Sequence, residues 1–236
     1  MEIRRFFLDT PITSSTAIVE GNEFHHMTDV LRHKVGYKTI LCDNSGYDFY
    51  ATIERIEKNY AVCRIDEKVK NPTETEKDIS LYICAIKSEK MDLAIQKAVE
   101  LGVKRIIPVI SQLTNEKNVR IERLERIIME ASKQCGRASL CKISNPKTFD
   151  NVLIDMTKSQ SAIMAYENED KTMLRDLDLK DKQSIALLVG SEGGFTKEEV
   201  EKAKEKGIEV FSLGKRILRA ETASIASLAY LTLQFE

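Results

Sequence analysis

The chain has 236 residues, of which 42% are hydrophobic and 31% charged; this is enough apolar sequence for a substantial core and disfavours intrinsic disorder. Lysine and arginine total 36 against 37 aspartate and glutamate, so the formal net charge is −1. That balance argues against a generally basic coat for nucleic acid, but it leaves local basic patches open.

Residues 1–70 predict a small β-rich domain. Short strands are predicted at residues 3–8 and 17–20, and a helix with one apolar face over residues 22–34. The segments TILCD, DFYATIERIEK and YAVCRIDEKV predict three more strands, the first two joined by the turn DNSG. Several short strands around one helix predict a small barrel.

The segment KVKNPTETEKD, residues 68–78, is predicted to be a linker because it is polar and contains Pro72. Beyond it, strands and helices alternate, which predicts a parallel sheet with right-handed crossovers. The predicted strands are ISLYICAI, KRIIPVI, SAIMAYE, SIALLVG and IEVFSLG. The predicted helices are MDLAIQKAVELG, residues 120–139, FDNVLIDM, residues 171–177, a helix from Thr196 and a final helix beginning at Glu221.

The five cysteines form no CxxC pair and no Cys/His cluster with zinc spacing, so we expect no metal site. An odd number of cysteines without a disulfide pattern fits a reducing cytosol. No apolar segment has the length of a signal peptide or approaches that of a membrane span. The expectation is a soluble, cytoplasmic protein that has no membrane partner.

A glycine-rich loop, SEGGF, follows the apolar segment SIALLVG and precedes Thr196 and Glu199, which match a helix capping box. The loop is therefore predicted at the C-terminal end of a strand, where open α/β sheets bind ligands. Glycine lets the backbone approach a ligand closely, and the helix N-terminus offers unpaired N–H groups. A tight turn without a ligand is the alternative. A dinucleotide fingerprint fits poorly because the order is GSEGGF, not GxGxxG.

The next predicted loop, in GKRILRAETA, carries Ile217 and Leu218 among Lys215, Arg216 and Arg219. Apolar residues in a loop indicate that they wall a cleft or pack on something. The two loops together predict a concave site for a ligand with an apolar part and polar edges. The final helix keeps one side mostly small, so that another helix could approach closely, at Ala223, Ala226, Ser227 and Tyr230.

VGSEGGFTKEEV followed by LGKRILRAETA resembles the signature of the SPOUT methyltransferases, and more narrowly that of the 16S ribosomal RNA uracil-N3 methyltransferase family. The resemblance covers the whole chain, because RRFF, HHMTDVLRHKVG, KSEKMDLAIQKAVELGV and QCGRA fall in the same order as in that family. Ser191 departs from the pattern, which more often has proline there.

The resemblance implies an α/β protein with an N-terminal PUA-like β-barrel that binds RNA, residues 1–70, and a C-terminal α/β-knot (SPOUT) domain with a deep trefoil knot, residues 75–236. It implies a homodimer, S-adenosyl-L-methionine as cofactor, and 16S rRNA or the small ribosomal subunit as partner. The implied reaction is methylation of N3 of a specific uridine. The implied cofactor-binding residues are Tyr166, Glu167, Leu188, Gly190, Glu192, Gly193, Gly194, Leu213, Gly214, Ile217, Leu218, Ala220 and Thr222.

Methylation at N3 requires that the N3 proton be removed or polarised, and that the base be unpaired or flipped. The candidate catalytic residues are Arg219 and Glu221. Arg219 could stabilise the uracil anion, or instead form a salt bridge or phosphate contact. Glu221 could accept the proton or hold the methionine amine, or instead complement the helix dipole. Glu192 could bind the cofactor or cap the turn.

The candidate RNA-binding residues are Arg4, Arg5, Arg32, His33, Lys34 and Arg137. The alternative for each is an ordinary solvated charge, or, for Arg137, a favourable interaction with the end of its helix. Two other functions stay open: a ribose 2′-O-methyltransferase of the same fold acting on rRNA or tRNA, and a non-catalytic RNA-binding assembly protein.

Overall fold

The computed structural model describes residues 3–234, and the chain divides into two compact units. The first unit is Met1–Glu74 together with Ser132–Leu140, and the second is Thr75–Ala131 together with Cys141–Glu236. The first unit is thus discontinuous in sequence: it takes a nine-residue segment from the middle of the chain.

A five-stranded sheet forms the first unit. Its strands are β1 (Arg4–Phe7), β2 (Thr16–Glu20), β3 (Lys38–Cys42), β4 (Tyr47–Ile56) and β5 (Tyr60–Lys70), in the order β1-β3-β4-β5-β2. β1 pairs β3 in parallel and the other pairs are antiparallel. The sequence predicted a small barrel, and the described strands form a mixed sheet with β1 and β2 as its edges. Its core is apolar and includes Phe6, Val19, Met27, Leu41 and Ile53, all fully buried.

The helix of the first unit is shorter than predicted. α1 (Gly21–His25) continues as one π-helical turn, His26–Val30, and the turn closes when the N–H of Leu31 donates to the carbonyl of His26 at 3.0 Å. Arg32 then adopts a left-handed φ of +53°, which a helix cannot continue through. Residues 32–34 therefore lie in a loop and not on the helix.

A buried polar cluster ties β1 and β4 to the inserted segment. Asp48, 5% exposed, accepts hydrogen bonds from both terminal nitrogens of the Arg5 guanidinium and from Nδ2 of Asn71 at 2.9 Å. The same Asn71 nitrogen donates to the carbonyl of Gly136, also at 2.9 Å. Buried charges are stable only when they are paired and hydrogen-bonded, and this cluster meets that condition.

Glu74 makes a second set of contacts with the inserted segment. Its Oε1 accepts the N–H groups of Ala138 at 3.0 Å and Ser139 at 2.7 Å, and its Oε2 lies 3.3 Å from Arg137. The Arg137 side chain is 3% exposed. These contacts explain why residues 132–140 belong to the first unit. A fragment starting at residue 75 would lack Glu74 and therefore these contacts with residues 138 and 139.

We expect Asp48→Ala to destabilise the protein by about 3–5 kcal/mol, because Arg5 would remain inside without its carboxylate partner. Urea unfolding followed by circular dichroism would measure the loss. Glu57→Ala is the matched control: its ion pair with Arg55 is exposed and should contribute less than about 1 kcal/mol. Equal effects of the two substitutions would contradict the assigned role of the cluster.

A seven-stranded sheet forms the second unit. Its strands are β6 (Asp78–Cys84), β7 (Arg105–Ile110), β8 (Lys142–Ile143), β9 (Lys147–Thr148), β10 (Ser161–Ala165), β11 (Ser184–Val189) and β12 (Glu209–Phe211). The order is β12-β10-β11-β6-β7-β8, with β9 also on β7, and every pair is parallel. β11 is therefore inserted between β6 and β10, which both precede it in sequence. Its apolar residues are almost all buried, as expected for a central parallel strand.

The helices are α2 (Ser88–Glu100), α3 (Ile121–Cys135), α4 (Phe149–Met156), α5 (Lys197–Glu205) and α6 (Ala220–Leu233). α3 ends before the predicted residue 139 because Gly136 takes a φ of +83°. The helix predicted at 171–177 is only a 3₁₀ turn, Leu174–Asp176, and the strand predicted from IEVFSLG is limited to β12. β5 and β6 also extend into the predicted 68–78 linker, which leaves residues 71–77 between them. Within residues 3–234, no helix is long and apolar enough to cross a membrane.

Candidate functional site

A cleft opens at the C-terminal ends of β10, β11 and β12. These strands are parallel neighbours, so the loops that follow them meet at one edge of the sheet. The first loop contributes Tyr166 and Glu167, the second runs from Gly190 to Phe195, and the third begins at Ser212. Ligands of open α/β sheets bind at this edge, so the geometry supports the site predicted from the two loops.

The glycine loop has no room for side chains. A Cβ on Gly190 would lie 2.9 Å from the Phe195 ring, and one on Gly194 would lie 2.5 Å from a carboxylate oxygen of Glu167. Gly194 also has a φ of +67°, a conformation that side chains disfavour. Gly193 is equally tight, but it faces Leu113 and not the cleft. The lack of a side chain at Gly193 makes space for the neighbouring loop, and its contact with the ligand stays a prediction.

That neighbouring loop, residues 111–114, follows β7 and supports the glycine loop. The Ser191 hydroxyl donates to the carbonyl of Leu113 at 3.1 Å. Glu199, 1% exposed, accepts the N–H of Gln112 at 2.9 Å through one carboxylate oxygen and that of Thr196 at 3.0 Å through the other. The second contact belongs to the capping box predicted from the sequence, which is confirmed. One buried carboxylate thus fixes both the start of α5 and the loop behind the cleft.

Glu192 points away from the cleft. Its carboxylate lies 3.1 Å from Nζ of Lys90 on α2, and it is absent from the cleft lining. The pKa of Glu192 is lowered: partial burial opposes the shift, but its own backbone N–H and the Lys90 ammonium outweigh burial. The ion pair agrees with the predicted role of holding the turn, and the role in cofactor binding stays a prediction.

The loop before α6 is apolar and basic, as predicted, but its residues divide. Leu218 and Arg216 line the cleft, whereas the Ile217 side chain is 83% exposed. Arg219 occupies the position before the first turn of α6, is exposed, and makes no ion pair with any residue in 3–234. A guanidinium in that position is available to a bound polyanion or to a developing negative charge at the cleft mouth.

Eight of the predicted cofactor-binding residues line the cleft: Tyr166, Glu167, Gly190, Gly194, Leu213, Gly214, Leu218 and Ala220. Five predicted residues lie outside the lining: Leu188, Glu192, Gly193, Ile217 and Thr222. The sequence reasoning missed seven lining residues, which are Ala165, Val189, Ser191, Phe195, Ser212, Arg216 and Ala223. All seven are immediate neighbours of predicted positions, so the motif located the loops but not each inward-facing side chain.

Glu221 is buried on the first turn of α6. The residue is 8% exposed, and its Oε2 has no hydrogen-bond partner among the described residues. Ala220 and Ala223, on either side of it, line the cleft. An unsatisfied buried carboxylate oxygen is costly, which indicates that a donor from outside the described chain completes this position.

The predicted RNA-binding residues separate by exposure. Arg4, Arg32 and Lys34 are exposed on the first unit. His33 packs its ring near Phe6 and Tyr37, and burial together with the charges of Arg4 and His26 lowers its pKa.

Two of the predicted RNA-binding residues lie buried in ion pairs. Arg5 and Arg137 are held inside the first unit by Asp48 and Glu74, with side chains 9% and 3% exposed. Buried guanidinium groups that are paired with carboxylates have little surface left to offer a phosphate. We therefore assign both arginines a structural role.

Burial makes three of the five cysteines unreactive. Burial raises the pKa values of Cys42, Cys63 and Cys84 to about 12, which keeps these thiols protonated and unreactive. Among the residues that the structure describes, no three His, Cys, Asp or Glu side chains come together as a metal site would require.

Comparison with known proteins agrees with this geometry. The RNA methyltransferase domain family model matches residues 73–232, and the RNA methyltransferase PUA domain model matches residues 19–66. The ribosomal RNA small subunit methyltransferase E of Rickettsia conorii is 33% identical over 99% of this chain and 96% of its own. The protein of the same name from Bacillus subtilis is 28% identical, with 94% and 91% covered.

A solved structure of a protein with the same name is also similar to this chain. The ribosomal RNA small subunit methyltransferase E from Neisseria gonorrhoeae, bound to S-adenosyl methionine, is similar with a TM-score of 0.88 and 29% identity, over 99% of this chain and 98% of that chain. The fold is therefore a PUA domain with a SPOUT-type α/β domain. The chain belongs to the RNA methyltransferases and, within them, to the ribosomal RNA small subunit methyltransferase E family.

Proposed function

We propose that this protein transfers a methyl group from S-adenosyl-L-methionine to N3 of a specific uridine in the 16S rRNA of the small ribosomal subunit. The observation that carries the proposal is the cleft at the ends of β10, β11 and β12, in a chain whose relatives along its whole length carry the name small subunit methyltransferase. N3 specificity is the finer part and rests on the resemblance of the two C-terminal loops.

The lining of the cleft fits the cofactor's chemistry. Leu213, Leu218 and Phe195 offer apolar surface for the adenine ring, and Glu167 offers a carboxylate for the ribose hydroxyls. Arg216 offers a guanidinium for the methionine carboxylate. When bound, S-adenosyl-L-methionine supplies a methyl group on a positively charged sulfur, which is ready for attack by a nucleophilic nitrogen.

We assign the unsatisfied oxygen of Glu221 to the cofactor's ammonium group. The carboxylate is buried beside two residues that line the cleft, and an ammonium would provide both the charge and the hydrogen bonds that Oε2 lacks. Its low exposure disfavours the other candidate role, that of a base reached by the RNA.

Glu221→Gln should weaken binding of S-adenosyl-L-methionine by about tenfold, because a neutral amide cannot balance an ammonium. Calorimetry would give the affinity, and single-turnover rates at saturating cofactor should stay close to those of the unmodified protein. A normal affinity with a rate that no longer rises with pH would instead make Glu221 the base.

We assign Arg219 to the stabilisation of the uracil ring. Loss of the N3 proton leaves negative charge on the uracil ring, and a fixed cation at the cleft mouth lowers the free energy of that state. The exposed, unpaired guanidinium of Arg219 can serve in this way without first breaking an ion pair within residues 3–234. The target uridine must be unpaired or flipped, because pairing hides N3.

The first unit supplies the phosphate contacts in this proposal. Arg4, Arg32 and Lys34 are exposed on the unit that contains the PUA domain match, and basic side chains of this kind set the position of RNA without reading its sequence. The odd number of cysteines agrees with a reducing, cytoplasmic setting, where rRNA substrates are available.

We further propose that the second unit is a deep trefoil knot and that the protein is a homodimer. The insertion of β11 between two earlier strands supports the knot.

The sequence predicted that the dimer contact uses the small side of α6. Ala223 and Ser227 on that side are already buried within one chain, where α6 packs on α2, so we place the dimer contact elsewhere. Exposed residues such as Leu233, 73% exposed, are left for a partner chain. Sedimentation of the unmodified protein and of Leu233→Glu would test the dimer.

Methylation in vitro tests the function. The protein would be incubated with labelled cofactor and either small subunits or naked rRNA, and the nucleosides analysed by mass spectrometry. 3-Methyluridine is expected. A ribose methyl would overturn N3 specificity, and cofactor binding without transfer to any RNA would make the protein a non-catalytic binder.

A further inference from the structure

A second cavity, of about 100 Å³, lies at the same edge of the second unit's sheet. It is bounded by Ile86 after β6, by the start of α2, and by the chain from Glu116 into α3. β6 is the parallel neighbour of β11, so its C-terminal end faces the same way as the strands that carry the cleft. The cavity shares no lining residue with the cleft.

The glycine loop contacts elements that form both cavities. Ser191 and Gly194 line the cleft, while Glu192 pairs with Lys90 on α2 at 3.1 Å. The Ser191 hydroxyl also bonds to Leu113, in the segment that leads to the second cavity. The second cavity is thus separate from the cleft, and the glycine loop contacts the elements that form both.

The second cavity has an apolar floor and a polar rim. Ile86, Met91 and Leu124 are each less than 5% exposed and form apolar surface. Ser88 and Asn118 are exposed at the rim and offer a hydroxyl and an amide. A planar heterocycle with hydrogen-bonding edges matches this lining, because an amide can both donate to and accept from the edge of a base.

The charges at the rim of the cavity favour the binding of one phosphate group and not of several. Arg123 is committed to Asp92, with Nε 3.0 Å from Oδ2. Arg120 is exposed and makes no ion pair within residues 3–234. Because Asp92 and Glu116 balance the two arginines in number, the cavity does not attract a polyanion as a whole. One free guanidinium beside an apolar floor suits a single nucleotide.

We propose that this cavity binds one splayed-out base of the RNA strand, next to the base that is methylated, with the adjoining phosphate at Arg120. The inference rests on the proposed function and adds to it the means by which flanking sequence is read. A flipped target leaves its neighbours unstacked, and enzymes that act on flipped bases take contacts from flanking nucleotides.

The test uses Asn118→Ala and Arg120→Ala in the full-length protein, with the RNA that the unmodified protein methylates. Each variant should bind this RNA about tenfold more weakly while cofactor affinity stays unchanged. Arg120→Ala should also reduce the slope of log affinity against log salt by about 0.7, as loss of one single-strand phosphate contact predicts, whereas Asn118→Ala should leave the slope alone. Arg126→Ala is the matched control, since this exposed arginine of α3 donates a hydrogen bond to the Glu122 carbonyl of its own helix and lies outside the cavity lining.

A photoreactive p-benzoylphenylalanine at position 118 gives a direct readout, and its crosslink should map to a nucleotide adjoining the methylated one. Normal RNA affinity in both variants, or a crosslink far from the methylated base, overturns the inference while the proposed function stands. Failure of the unmodified protein to methylate any RNA overturns the proposed function instead.

Discussion

Gly194→Val should weaken S-adenosyl-L-methionine binding by at least about thirtyfold, which corresponds to about 2 kcal/mol. Valine disfavours the φ of +67° at this position, and its Cβ would displace the Glu167 carboxylate that lines the cleft. The loop must therefore move or Glu167 must leave the site. Calorimetry with the purified cofactor would measure the effect.

Gly207→Val is the control for this substitution. Gly207 has a similar φ of +77° at the end of α5, with open space around the added side chain. Both variants should lose comparable stability on thermal unfolding, by about 1–2 kcal/mol, because both force valine into a left-handed conformation. Only Gly194→Val should lose cofactor affinity. Unchanged affinity in Gly194→Val would show that the glycine loop does not hold the cofactor.

Arg219→Ala should lower the single-turnover methylation rate by about 100- to 1000-fold and leave cofactor affinity unchanged. The magnitude is that of removing one preorganised group that stabilises a developing anion. Rapid quenching at saturating cofactor and RNA isolates the chemical step, so that a loss of binding cannot imitate a loss of rate. Arg219→Lys should recover part of the rate because it keeps the charge but not the planar fork.

Arg216→Ala provides the contrast within the same loop. Arg216 lines the cleft and Arg219 does not, so Arg216→Ala should weaken cofactor binding by tenfold or more and have a smaller effect at saturation. The reverse pattern, with Arg219→Ala acting on cofactor affinity alone, would exchange the roles of the two arginines.

The elements of the second unit were predictable because their signals are local. A strand buried on both faces is a continuous apolar run, as in SIALLVG, and a capping box marks the start of α5 from four residues. Helix ends were less predictable. Arg32 and Gly136 end their helices because both adopt a left-handed backbone conformation. An arginine in the sequence does not predict that conformation.

The site was predictable as a set of loops and less so as a set of side chains. The glycines mark where the backbone must be tight, but sequence does not show that Gly193 faces Leu113 while Gly194 faces Glu167. The burial of Arg5 and Arg137 could not be predicted from the sequence either. Arg137 meets Glu74 across 63 residues, and no periodic pattern connects positions so far apart.

The discontinuous first unit has a consequence for protein synthesis. Its strands are complete when residue 70 has been made, but Asn71 and Glu74 bind Gly136, Ala138 and Ser139. At 5–20 residues per second, translation of the chain from residue 74 to residue 140 takes about 3–13 s. Throughout that interval the nascent N-terminal sheet exposes polar groups whose partners do not yet exist. The part of the protein made first therefore reaches its final form only after more than half of the chain has left the ribosome.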